Sequence, residues 1–133
     1  LVNTKAKISK GTICLTTALA LYELTDEIPR QHWTAIPNET SHNADHSTKI
    51  VRLRNMELGR TVISIDGLKV PIFDRERTIV DAFRLLSLEV AIKALRNGLK
   101  QRAPDKISIT KIRQYAKILH VKIEPYLLGV LSE

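Results

Sequence analysis

Cysteine occurs once in these 133 residues, at Cys14, so an intramolecular disulfide and any multi-cysteine zinc site are excluded. Aromatic residues are 5% of the chain, too few for the interleaved rings that stack on single-stranded bases. Long hydrophobic runs are also missing. The longest uncharged apolar stretch, Thr12 to Tyr22, is far short of the roughly 20 residues that span a bilayer. The opening LVNTKAKISKGTICL sets lysines ahead of apolar residues, as a signal peptide does, but the run passes straight into Tyr22-Glu23-Leu24 with a helical pattern and reads as a folded helix. There is no phosphate-binding glycine loop, no dinucleotide fingerprint and no serine with nucleophile-elbow spacing. The carboxylates are isolated or fall at helix starts, leaving no acidic cluster to hold the ions of a metal-dependent nuclease.

What the chain does have is positive charge, with 21 Lys+Arg against 14 Asp+Glu and a net +7. Lys93, Arg96, Lys100, Arg102, Lys106, Lys111, Arg113, Lys117 and Lys122 share their stretch with one acid, Asp105, while the remaining charges nearly cancel. Such a localised field favours a polyanion or an acidic protein surface; the alternative is a solvated helix face. Apolar residues at 44% are enough for one core, and the length suits one domain.

The hydrophobic pattern predicts an order α–ββββ–αααα. Leu15, Ala18, Leu19 and Tyr22 fall on one face of a first helix that starts at Thr12 and is ended by Thr25-Asp26 and Pro29. Strands are expected at His32 to Ile36, Lys49 to Arg54, Arg60 to Ile65 and Leu68 to Phe73, with Asn38 to Thr48 a polar loop. Asp66-Gly67 between two β-rich runs signals a two-residue hairpin, and Pro71 marks its strand as an edge or a bulge. After Phe73 the period changes. Asp74 caps a helix with Ile79, Ala82, Phe83 and Leu86; Ser87 caps one with Leu88, Ala91, Ile92, Leu95 and Leu99. Within that helix, Gly98 is expected to cost about 1 kcal/mol relative to alanine. Another helix begins near Ser108 or Thr110 and carries Ile112, Tyr115, Ala116 and Leu119; Pro125 opens a last short one with Leu127, Leu128 and Leu131. Grouped strands followed by helices indicate an α+β fold: one N-terminal helix, a small, mostly antiparallel four-stranded sheet and a C-terminal bundle of about four helices.

Three places invite chemistry. His42, Asp45 and His46 form the one cluster with metal-ligand character, set in a polar loop where a mobile surface segment is the simpler reading; no metal site is assigned. Cys14, between Ile13 and Leu15, reads as an inert core thiol. Arg77 and Asp81 at i, i+4 read as a structural ion pair, worth a few tenths of a kcal/mol if exposed, with a functional role as the alternative if Arg77 reaches across to the sheet. No catalytic residue and no cofactor is expected. The basic residues are ordered: Lys93, Arg96 and Lys100 form one helical stripe, diluted by Glu89, and Arg113, Lys117 and His120 another. If those helices are antiparallel neighbours, the stripes merge through Arg102 and Lys106 into a phosphate-binding patch that does not read bases.

Several segments in order resemble the C-terminal domain of AbiEi-type antitoxins, the antitoxin and transcriptional-regulator halves of prokaryotic type IV toxin–antitoxin (abortive infection) systems. They are Lys10 to Leu19, Leu24-Thr25, Ile28-Pro29, Trp33 to Pro37, Val70 to Phe73, Arg77 to Phe83 and Ala91 to Arg96. Tyr22-Glu23 departs from the His-Gly often found there. Family members carry an N-terminal winged helix-turn-helix, and nothing in Leu1 to Gly11 can form one. The resemblance therefore implies that residues 1–11 are a connector from a missing DNA-binding module and that 12–133 are a single antitoxin domain. It further implies a cytoplasmic, non-enzymatic protein of phage defence. Its role would be to counteract a nucleotidyltransferase-like toxin without needing a stable complex with it, and to support repression at operator DNA. The alternatives are an autonomous nucleic-acid binder using the basic patch and a small metal-dependent nuclease using the His42–His46 loop.

Overall fold

The computed structural model describes residues 11–37 and 48–133. The His42–His46 cluster and nearly all of the expected connector lie outside the described residues. Along the chain run β1 (Thr12–Ile13), α1 (Leu15–Leu21), β2 (His32–Pro37), β3 (Thr48–Leu53), β4 (Arg60–Ile65), β5 (Leu68–Phe73), α2 (Arg75–Leu85), α3 (Leu88–Lys100), α4 (Ile109–Ile118) and α5 (Glu124–Leu131).

The fold is α+β, but the expected sheet and bundle are corrected. Five strands, not four, form one mixed sheet in the order β3-β2-β1-β5-β4. The additional strand is β1, taken from the expected first turn of the first helix. Thr12 and Ile13 are β-branched and buried, and they sit between β2 and β5: Ile13 lies opposite Thr34 antiparallel and opposite Ile72 parallel. Two residues are too few to show a period, so the helical pattern beyond them ran over them. The pairing is also less antiparallel than expected, because β2 and β3 run parallel while β4 and β5 run antiparallel. In effect β1 joins two ladders. Nor do α2 to α5 make a bundle of their own. Helices α1, α3 and α4 all pack against α2, and one core joins Leu19 and Leu24 with Val70 and Ile72 of the sheet and Ile79, Leu95, Ile112 and Leu127 of the helices.

Local chemistry accounts for the elements. Asp66 (φ 51) and Gly67 (φ 79) make the left-handed turn that closes β4 on β5. Counted from that turn, Val62 and Pro71 form a pair whose backbone groups point away from each other. The amide that Pro71 lacks would face the side of β1, which is only two residues long, so the proline is tolerated in a strand that is not an edge. Asp74, Ser87 and Ser108 each accept a hydrogen bond from the amide three residues on and so start α2, α3 and α4. Helix α1 closes with Leu24 N donating to Leu19 O and Glu23 N to Ala20 O, around a left-handed Glu23 (φ 60); His120 (φ 59) closes α4 in the same way. Glu23 thus puts a side chain at a left-handed position where glycine is easiest.

Alternation along β5 sends Ile72 to the large core and Phe73 to a smaller one on the other face of the sheet, built with Cys14, Leu15, Ala35, Leu53 and Met56.

Candidate functional site

Lys93, Arg96 and Lys100 lie on α3, Arg102 and Lys106 on the link to α4, and Arg113 and Lys117 on α4. The two helices pack on α2 rather than extensively on each other, so the stripes are not adjacent in the way that merging them required. Acids from outside the basic stretch also answer part of the charge. Glu133 takes Arg96 in a two-pronged bond, Nε and Nη2 each 2.7 Å from a carboxylate oxygen. Glu124 receives both Nε and Nη2 of Arg113, and Glu89 lies 3.5 Å from Lys93 Nζ. The hydrogen bond and charge of Glu133 push the Arg96 guanidinium pKa up, and Glu124 does the same for Arg113. Among the described residues no ion pair engages Lys100, Arg102, Lys106 or Lys117, and all four are exposed.

The spacing of Arg77 and Asp81 does produce an ion pair, but a buried one. The side chains are 0% and 1% exposed, with Nε 2.8 Å from Oδ2. Nη1 donates to Leu58 O, and the guanidinium lies 4.2 Å from the centre of the Phe73 ring. Arg84 takes the other oxygen of Asp81 at 2.8 Å. Nη2 of Arg77 is buried without an acceptor among the described residues. Arg77 thus reaches the sheet with no exposure and locks α2 onto β5. Cys14 lies in the same region with its thiol pKa pushed up well above the ordinary range, by burial first and then by the charge of Asp81, so it is a poor nucleophile.

A second polar network, without a signature in the sequence, lies at the start of α2. Asp74 uses one oxygen to cap Arg77 N; its other oxygen accepts from Tyr115 Oη at 2.8 Å and lies 3.1 Å from Lys111 Nζ. Glu76 accepts from Ser108 N at 2.8 Å and lies 3.3 Å from the same ammonium. The caps of α2 and α4 are thereby clamped to each other. Burial works against the Lys111 charge, but Asp74 and Glu76 outweigh it and push its pKa up. The only signal in the sequence was Asp74 as a cap; Glu76 shares its turn of α2, while the lysine and the tyrosine come from α4, more than 30 residues further on.

Beside this clamp, between α2, β4 and the link at 104–106, lies an open cleft of about 500 Å³. Arg75 spans it, held 3.3 Å from Asp105 and stacked 4.5 Å from the centre of the Tyr22 ring. Half-buried Asp74 and buried Glu76, the acids on the α2 side of the cleft, have their oxygens engaged by donors from α2 and from the α4 end of the clamp. Among the described residues no group of three or more His, Cys, Asp or Glu side chains is placed to hold a metal ion. No described helix is long and apolar enough to cross a membrane. Compared with known protein families and with curated proteins, the chain matches none.

Proposed function

We propose that residues 12–133 are a non-enzymatic antitoxin and regulator domain of the AbiEi type, opposing a nucleotidyltransferase-like toxin in a prokaryotic cytoplasm and supporting operon repression alongside a winged helix-turn-helix. One observation carries this reading. The segments of the resemblance, scattered along the sequence, adjoin in space: Thr12–Ile13, Trp33 to Pro37 and Val70 to Phe73 pair as β1, β2 and β5, and Arg77 with Asp81 closes over Phe73. Residues that meet at the centre of a fold are those a family must keep together. The reading is tested at the gene and in the cell. A nucleotidyltransferase-type reading frame should follow or overlap this one, and co-expression of the chain should restore growth to cells making that toxin. Equal killing with and without the folded chain overturns it.

A second reading, nucleic-acid binding by this domain alone, is favoured by the four exposed cations that no ion pair engages among the described residues. Duplex binding at about micromolar strength near physiological salt is then expected, with a log–log salt slope of about −3 to −4 for four phosphate contacts. Reversing Lys100, Arg102 and Lys117 should weaken binding with the melting temperature unchanged. Absence of binding at low salt removes this reading and leaves the first standing.

A further inference from the structure

The two margins of the sheet are unlike. The β3 margin carries Lys49 and Arg52, the kind of charge that keeps a strand edge from pairing with another copy. The β4 margin has no charge, proline or bulge from Thr61 to Ile65, and Val62 on it is 58% exposed. In the hairpin ladder Thr61, Ile63 and Ile65 exchange bonds with β5, so the amides and carbonyls of Val62 and Ser64 point outward. Among the described residues nothing pairs with them.

We propose that β4 is a self-association edge on which a second copy of this chain adds its own β4, antiparallel, about a two-fold axis through Ile63. The charges at the two ends of the strand select that arrangement. Arg60, whose Nε donates to Thr12 Oγ1 across β5, stands at one end and Asp66 follows the other, so antiparallel copies bring unlike ends of the strand together and parallel copies bring like ends together. With Ile63 on the axis, Val62 of each copy faces Ser64 of the other as a hydrogen-bonded pair. Every outward backbone group of both residues is then satisfied, with none left over. The contact is isologous and closes as a dimer, whereas pairing β4 with the charged β3 margin would run on without end. The inference does not depend on the antitoxin reading.

The test is the mass in solution of the 133-residue chain across a concentration series reaching about 100 µM, a range in which weak transient contacts are seen. A monomer–dimer equilibrium is expected. Val62→Lys and Ser64→Pro, both changed on the outward side of the ladder, should shift it at least tenfold toward monomer with the melting temperature kept. Register is read by cross-linking. Ile63→Cys should oxidise to a disulfide-linked dimer, because antiparallel pairing sets its Cβ beside its own symmetry mate, and Val62→Cys should not. The native Cys14 is buried and leaves the background low. A monomer throughout the series, a dimer indifferent to both edge variants, cross-linking at Val62 in place of Ile63, or growth into higher assemblies would each overturn the proposal. A folded monomer that binds an added extended peptide at β4 would assign the edge to another partner and overturn it equally.

Discussion

Arg77 and Asp81 are unequal to their neighbours because neither can reach water. Removing one partner of a buried pair leaves the other charge stranded, which costs about 3–5 kcal/mol, while replacing both with apolar side chains costs far less. Asp81→Asn should therefore lower stability by about that amount in denaturant unfolding, and Arg77→Met with Asp81→Leu should recover much of the loss. Equal losses in the single and double variants would mean the pair is not the source. Tyr22 gives a pH signature. Its hydroxyl donates to Phe73 O, and burial, opposed by Arg75 and aided by Asp74 and Glu76, pushes its pKa up to about 12. A folded pKa above the unfolded value makes the contribution full below about pH 10 and lost as pH rises toward 12. Stability should fall across that window, less steeply in Tyr22→Phe. The i, i+4 spacing disclosed the Arg77–Asp81 pair, but not its burial: sequence says which side chains align along a helix, not what lies across from them.

At the scale of elements, glycine separates propensity from packing. On propensity alone Gly98→Ala should stabilise α3. In the structure a Cβ there would meet Ile107 Cγ2 at 2.9 Å and Ile79 Cδ1 at 3.2 Å, so the change should destabilise. Gly129, with open space at its Cβ position in α5, should gain about 0.5–1 kcal/mol as alanine. Glu23→Gly should likewise stabilise the left-handed end of α1, by about 1 kcal/mol. Melting temperatures of the three variants check all of this. Caps and the β4–β5 hairpin were legible in sequence because their chemistry is local: an Asp-Gly turn and a serine three residues ahead of an amide carry their own explanation. β1 was not, since it is a strand only because β2 and β5 flank it, and the parallel β2–β3 pairing leaves no periodic trace.

For the molecule as a whole, the basic stretch was legible as composition but not in its pairings. Glu133 reaches Arg96 from 37 residues away, a pairing no local pattern announces. The α2–α4 clamp was hidden for the same reason, assembled from Asp74, Glu76, Lys111 and Tyr115 only once the chain is folded. The two-residue bridge of β1 has a further consequence. It ties the β2–β3 ladder, with its small core, to a much larger helical body, and Trp33, the single tryptophan of the chain, packs against that small core. The protein thus carries its one indole on the lesser half and nearly all of its helical ellipticity on the other. In rising denaturant the indole emission should shift before the far-ultraviolet dichroism fades, because the lesser half is joined only through β1, the neighbouring turn of α1 and the small core under Phe73; coincident curves would mean that these contacts are enough to make the halves melt as one.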